Sequence, residues 1–511
     1  MSTAPPATLS LSLVSHTNAG KTTLARTLLG RDIGEVRDAP HVTESAEAHA
    51  LITSLDGDRL LLWDTPGLGD SQRLARRLAL QDRPLGWLLS QVWDRWRDRP
   101  FWASQQAIRH VMDRTDVALY LVNAAEAPED AAYLAPELQV LALLDKPVIV
   151  LLNQLGSPAQ AEDEARQLQL WRGHLAGQPG VRAVLPLDAF ARCWLQEAVL
   201  LQTVAQALPA AAQAAMARLQ AAWAATQQQT WQAAIDVLAG RLLGAALDRE
   251  PLPQPGWSAP LRSLRGALAG RMGRALGWDG LADSDPQARA MAALAQRLDV
   301  QVRRSMDRLL ALYQVPGQAQ GELLDRLARH FARREPVSET RAALWGGLVT
   351  GALGGLKADL ASGGLTLGGG LLLGGVLGAL GAAGAVRGVN RIRGRDQAWL
   401  AWDTPVLDAL LRSALLAYLA VAHHGRGRGA WQQDEPPAVW TEAVQAVLDE
   451  AQPGWAALWR QRQAGLDAGT SPAPGFQADL RLALAQACAA TLARLYPEAS
   501  ALVGLAAWAK A

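Results

Sequence analysis

The eight residues Ser15-His16-Thr17-Asn18-Ala19-Gly20-Lys21-Thr22 restrict what this chain can fold into more than any other feature. They match the phosphate-binding pattern G-x-x-x-x-G-K-[ST] except at the first position, where Ser15 replaces glycine. The pattern needs a strand before it and a helix after it. Leu9, Leu11 and Leu13 alternate with small polar residues as a strand ending at Val14, and residues 22–29 read as a helix. In that setting backbone N–H groups and the helix N-terminus face an anion, and Gly20 allows the backbone to approach it closely. Lys21 offers a point charge for β- and γ-phosphates, and the Thr22 hydroxyl is placed to ligate Mg²⁺. Asn18, Ala19, Gly20, Lys21, Thr22 and Thr23 are the candidate nucleotide contacts of this loop.

The surrounding 200 residues have the organisation such a loop requires. Residues 49–55 and 59–63 read as strands joined by Asp56-Gly57-Asp58, a hairpin signal. Residues 117–122, 148–152 and 181–185 are short apolar runs, as expected of strands buried on both faces. The pattern predicts an α/β domain over residues 1–207 with a mostly parallel sheet. A charge-rich stretch at about 71–115, with Leu88, Val92 and Trp96 at helical spacing, reads as a helical insertion between two strands. From about Pro209 strands are expected to disappear, and residues 208–511 read as an all-α domain. Trp231, Ile235, Leu238 and Leu242 keep helical spacing there, as do Trp440, Val444, Val447 and Leu448. The 19 Trp against 4 Phe and 5 Tyr suggest large aromatic anchors in helical cores.

One segment of the second half is unusual. From Ala342 to Val386 the chain is apolar and rich in glycine, and no charged residue occurs from Leu360 to Val386. That length suffices to cross a bilayer as a helix. Gly347, Gly351 and Gly355, then Gly370, Gly374 and Gly378, recur at the spacing that lets helix backbones approach closely. Arg329, Arg333, Arg334 and Arg341 precede the segment, and Arg387, Arg391, Arg393 and Arg395 follow it. A hairpin would keep both basic flanks on the cytoplasmic side. The segment is either a hairpin that contacts the membrane or a soluble, glycine-rich hairpin packed inside the domain.

Composition narrows the function classes. With 49 Lys+Arg against 48 Asp+Glu the net charge is +1, so no nucleic-acid partner is expected. Charged residues make up 19% of the chain, below the average of about 25%, which fits extra burial or contact with lipid. Two cysteines, Cys193 and Cys488, exclude a disulfide scaffold and fit a reducing compartment. The first residues, MSTAPPATLSLSL, have neither a basic nor an apolar leader region, so secretion is not expected. The eight histidines form no H-x-x-x-H or H-E-x-x-H pair, His423-His424 reads as a polar helix end, and no G-x-S-x-G elbow occurs.

A second motif, Trp63-Asp64-Thr65-Pro66-Gly67, follows the third strand. Asp64 is a candidate Mg²⁺ ligand, usually through water, and the Gly67 N–H a candidate sensor of the γ-phosphate. The run N-A-G-K-T-T-L together with W-D-T-P-G-L resembles the Era/TrmE/EngA-type branch of translation-factor-related P-loop GTPases over roughly residues 8–207. The remainder resembles bacterial proteins that join such a GTPase to a C-terminal domain of unknown function. Ala358 to Gly368 is similar to that domain's glycine-rich hairpin. The resemblance implies binding of GTP and GDP with Mg²⁺, hydrolysis of GTP to GDP and phosphate, and an unidentified protein partner. It implies that Thr43 is the switch threonine closing on Mg²⁺ and γ-phosphate; otherwise it is a loop threonine. Lys21, Thr43 and Gly67 would then serve catalysis, and Thr22, Thr43 and Asp64 the metal. It also implies that Asn18 helps to bind a K⁺ ion near the β/γ bridge, although an Asn here can equally bond its own backbone.

Two departures accompany the resemblance. The base-reading motif N-K-x-D is replaced by Asn153-Gln154-Leu155-Gly156, which keeps Asn153 but lacks the carboxylate that selects guanine. Leu68 stands where some GTPases carry a water-orienting Gln, and leucine cannot orient water. Leu187-Asp188-Ala189 is a weak match to the later base-contact loop. Arg73, Arg76 and Arg77 are either an arginine finger in cis or a solvated helix face. The expected function is a GTP-hydrolysing switch of the bacterial cytoplasm that contacts the inner membrane through residues 342–386. The alternatives are a non-hydrolysing or base-relaxed nucleotide-binding scaffold and a fully soluble GTPase.

Overall fold

The computed structural model describes residues 5–16, 19–30, 47–68, 73, 76, 99–154, 161–187, 193–252, 286–315, 389–393, 398–423, 437–468 and 474–510. Contacts divide the chain into two compact units. The first comprises Met1–Gln229, Ala422–Gln432 and Glu498–Val503; the second comprises Thr230–Val421, Gln433–Pro497 and Gly504–Ala511.

The first unit is built on a six-stranded sheet. Its strands are β1 (Thr8–Ser15), β2 (Glu47–Thr53), β3 (Arg59–Asp64), β4 (Val117–Asn123), β5 (Val148–Asn153) and β6 (Val181–Pro186). Their spatial order is β2-β3-β1-β4-β5-β6, with β2 antiparallel to β3 and the other pairs parallel. The helices between them are α1 (Lys21–Leu29), α2 (Arg99–Arg114), α3 (Leu134–Ala142), α4 (Ala161–Leu175) and α5 (Trp194–Ala207). Every residue of β5 is buried, and so are Val117 to Val122 of β4, because helices cover both faces of a parallel sheet. Hence these strands are continuous apolar runs in the sequence.

β1 follows a different logic. Leu9, Leu11 and Leu13 fill one face, while Ser10 and Ser12 alternate onto the other, all of them buried. The small serines bond the α2–β4 junction: Ser12 Oγ lies 2.6 Å from Thr115 Oγ1, and the Ser10 N–H donates to Asp116 Oδ2 at 2.7 Å. Ala107, Ile108 and Val111 of α2 thereby join Val14, Tyr120, Val122, Leu138 and Trp171 in one core cluster. β3 flanks β1 on one side and β4 on the other, so the strand order reverses at β1. In open α/β sheets ligands bind beyond the carboxyl ends of strands at such a reversal. That is where residues 15–22 begin.

The second half of the chain is helical, as its spacing predicts. α6 (Gln213–Leu247) and α7 (Pro286–Leu312) are followed by α8 (Thr404–Ala422), α9 (Ala438–Glu450), α10 (Gln452–Asp467) and α11 (Phe476–Leu495), then the short α12 (Pro497–Val503) and α13 (Leu505–Trp508). Trp231, Ile235, Leu238 and Leu242 are all buried along one face of α6, and Trp440, Val444 and Val447 along α9; Leu448 is half-buried. The tryptophan excess has its structural use here and in the sheet domain: Trp171, Trp231 and Trp402 are among the largest fully buried side chains.

The expectation that strands end near residue 209 needs one correction. β7 (Arg249–Leu252), β8 (Val389–Arg393) and β9 (Ala398–Trp402) form a small antiparallel sheet in the order β7-β9-β8. The outer strands, REPL and VNRIR, show no apolar alternation. Their pairing joins segments far apart in sequence, so no local signal marks them. Among the described residues α8 is the one helix long and apolar enough to cross a membrane, and 78% of its most apolar window is buried inside the protein. The glycine-rich segment 342–386 and most of the insertion at 71–115 lie outside the described residues; α2 is the main described part of that insertion.

Candidate nucleotide-binding site

The loop that leaves β1 is held by its own side chains. Ser15, in place of the pattern's first glycine, is fully buried; its Oγ accepts a hydrogen bond from Lys21 Nζ at 2.9 Å and donates to the His16 carbonyl at 2.5 Å. The departure from the pattern thus has a use: the hydroxyl tethers the loop's lysine across the loop. Gly20 caps α1 with φ +90°, a left-handed conformation. A Cβ there would stand 2.7 Å from Asn153 Nδ2, so glycine is required by space as well as by backbone angle. The first α1 hydrogen bond runs from the Leu24 N–H to the Gly20 carbonyl at 2.9 Å. The N–H groups of the first turn therefore point toward the loop, where an anion is favoured.

Two buried charges meet beside that turn. Lys21 is 8% exposed, and burial lowers its pKa against the pull of Asp64 and Glu137. Asp64, at the end of β3, is 4% exposed; burial raises its pKa, against the Thr22 hydrogen bond and the Lys21 charge. Thr22 Oγ1 donates to Asp64 Oδ2 at 2.6 Å, bringing together two residues 42 apart in sequence. Asp64 Oδ1 is buried with no hydrogen-bond partner among the described residues. An orphaned, buried carboxylate oxygen beside a hydroxyl is a hard-oxygen donor set of the kind Mg²⁺ takes. The residues present fit that ion.

The turn after β3 is tied to the same loop. Thr65 Oγ1 donates to the Leu13 carbonyl at 2.5 Å, and the Leu68 N–H donates to the Ser15 carbonyl at 2.9 Å. Gly67, next to Leu68, is buried there. Leu68 itself packs into the core with Val14, Ile108 and Tyr120. Asn153, at the end of β5, is fully buried, and its Nδ2 donates to the Ala19 carbonyl at 2.9 Å. It braces the loop from beneath. Gln154, where N-K-x-D has lysine, adopts φ +59°, a left-handed conformation that ends the extended run of β5.

The structure thus brings Ala19, Gly20, Lys21, Thr22, Asp64, Gly67 and Asn153 together, while Thr23 is buried in α1. Asn18, Thr43, Gly156, Asp188, Ala189 and Arg77 lie outside the described residues. Arg73 and Arg76 are exposed. The motifs do not point to His16, Tyr120 and Glu137, which meet beside the loop: His16 Nδ1 lies 2.8 Å from Glu137 Oε1, and Tyr120 donates to Glu137 Oε2 at 2.5 Å. One signal was available in the sequence. Leu134, Glu137, Leu138 and Leu141 share a helix face, and a glutamate on an otherwise apolar stripe needs a partner.

Residues 10–154 match the family described as 50S ribosome-binding GTPase, and residues 175–493, more than half of the chain, match a domain of unknown function, DUF3482. No curated protein matches the chain. Among solved structures, a variant of Era from Aquifex aeolicus bound to GDP·AlF4⁻ is 19% identical with a TM-score of 0.30, covering 40% of this chain and 57% of that one. Era in complex with MgGDPNP and a segment of 16S ribosomal RNA gives 19% and 0.30, covering 40% and 58%. A probable GTP-binding protein, EngB, gives 16% and 0.21, covering 35% and 88%. The chain thus spans less than two thirds of the length of the Era structures. The chain belongs to the DUF3482 family, and it carries that domain behind an N-terminal domain of the P-loop GTPase type.

Proposed function

We propose that this protein is a Mg²⁺-dependent molecular switch that hydrolyses GTP to GDP and phosphate, with residues 342–386 making contact at the cytoplasmic face of the membrane. The observation that carries the reading is the Thr22–Asp64 pair, 2.6 Å apart, with a buried Asp64 oxygen that has no partner among the described residues, beside a buried lysine. The α1 N-terminus and the loop amides receive the phosphates, and Gly20 keeps that approach free of a side chain. Lys21 exchanges the Ser15 hydroxyl for a phosphate oxygen, which relieves the burial of its charge. Thr22 and Asp64 would hold the Mg²⁺, and Thr43 is the further ligand that the resemblance implies. The ion, when bound, neutralises charge on the β- and γ-phosphates. The Gly67 N–H reports the γ-phosphate, and its neighbour's bond to Ser15 links that report to the loop.

A second reading has its own support. Leu68 is committed to the core and has no polar group to orient water, which favours a nucleotide-dependent scaffold without turnover. Phosphate release by the purified full-length protein, with GTP and with ATP, in K⁺ and in Na⁺, separates the two. Turnover of GTP that disappears in Lys21→Ala supports the switch; turnover that is stimulated by K⁺ supports the role of Asn18. Absence of turnover with retained nucleotide binding supports the scaffold. Unchanged hydrolysis in Lys21→Ala would remove the site assignment altogether.

A further inference from the structure

Glu137 is fully buried on the face of α3 that carries Leu134, Leu138 and Leu141. An ionised carboxyl in such a place is costly unless both oxygens are bonded. Both are. Tyr120 on β4 donates its O–H to Oε2, and His16 Nδ1 meets Oε1 at 2.8 Å. The His16 ring is further fixed by stacking on Tyr133, with centroids 4.5 Å apart. His16 is also the point where the two phosphate-facing loops touch. It forms a parallel bridge with Leu68, whose N–H bonds the Ser15 carbonyl directly after Gly67. A group that locks the His16 side chain therefore holds the start of one loop and the end of the other.

We propose that Glu137 is a positioning residue for nucleotide binding, acting through His16 to keep Ser15, the residues from Ala19 to Thr22 and the Gly67 turn in one fixed arrangement. The proposal rests on the nucleotide reading above. Charge and anchoring are told apart at His16. Glu137 also supports the Lys21 charge, so the sign of its own substitution does not separate the two. His16→Leu leaves Glu137 in place and removes the anchor alone, which loosens the loop and weakens binding.

The test is an equilibrium titration of the full-length protein, in Mg²⁺, with fluorescent GDP and a non-hydrolysable GTP analogue. Glu137→Gln keeps the volume and removes the charge. His16→Leu removes the ring nitrogens at a position whose side chain is 35% exposed, and His16→Gln retains a side-chain N–H for Glu137. Glu137→Gln and His16→Leu are each expected to weaken the triphosphate analogue about tenfold, the scale of one hydrogen bond to a charged group. The double variant should be no weaker than the weaker single one, because one interaction is lost in all three. His16→Gln should recover most of the affinity, and GDP should suffer less than the analogue, since the Gly67 turn faces only the γ-phosphate. Unchanged or tighter binding in both single variants overturns the proposal and leaves the nucleotide reading standing. A wild-type protein that binds neither nucleotide overturns both. If Glu137→Gln does not fold, equal affinities of His16→Leu and His16→Gln overturn the proposal on their own.

Discussion

At the scale of single residues, the site turns on Gly20. Its φ of +90° costs an L-residue about 1–2 kcal/mol, and a Cβ would press on Asn153 Nδ2 at 2.7 Å, an atom held in place by its bond to the Ala19 carbonyl. In Gly20→Ala the free loop relaxes away from this geometry and must be pulled back on binding. The backbone term alone then weakens nucleotide affinity about 5- to 30-fold, with the contact to Asn153 adding to it. Calorimetric titration of Gly20→Ala checks this, and wild-type affinity would show that the loop binds in another conformation. This residue was legible before the structure because its role is encoded within eight consecutive positions. The work of Ser15 was not. As a pattern mismatch it reads as degeneracy, yet its hydroxyl bridges Lys21 and the His16 carbonyl, a closure that only the folded loop creates. Glu137 lay further from reach, since its partner His16 is 121 residues away and no motif contains both.

At the scale of elements, the β2–β3 hairpin is fastened through Asp58. This fully buried carboxylate accepts from the Ala7 N–H at 3.0 Å, from Ser54 Oγ at 2.8 Å, and from the Arg218 fork on α6 at 2.6 and 2.8 Å. The Arg218 hydrogen bonds hold its carboxyl well below the usual carboxylate range. A group with a depressed folded pKa stabilises the fold above its unfolded pKa, and that contribution fades as pH falls toward the folded value. Asp58→Asn should therefore lower Tm at neutral pH, with the gap to wild type narrowing as pH drops below about 4. Thermal unfolding across pH 2–8 measures it, and a gap independent of pH would show that the carboxylate's charge contributes nothing. The central strands were readable because two-sided burial forces apolar runs, as in Val148 to Leu152, and the hairpin because Asp56-Gly57-Asp58 separates its two strands. β7 and β8 were not, because Arg249, Glu250, Pro251, Asn390 and Arg391 take strand form only through pairing with β9.

At the scale of the whole molecule, the open issue is what the glycine-rich segment does for a GTPase-type chain. Among the described residues the only helix both long and apolar enough to cross a membrane is α8, and 78% of its most apolar window is buried inside the protein. A role at the membrane would therefore fall to residues 342–386, where the stretch from Leu360 to Val386 is uncharged and arginines flank both ends. Those flanks have a second consequence. Anionic lipid at the cytoplasmic surface attracts each basic residue by about 1 kcal/mol, so binding driven by them alone would be lost at high salt, whereas insertion of the apolar segment would survive it. The full-length protein is expected to pellet with inner membranes and to remain there after a high-salt wash, and a deletion of 342–386 to move to the soluble fraction with its nucleotide affinity intact. Release by salt alone would reduce the role of the segment to peripheral contact through its arginines. Full-length protein found wholly in the soluble fraction would mean that the glycine-rich segment packs inside the domain, where its small residues would serve close packing instead.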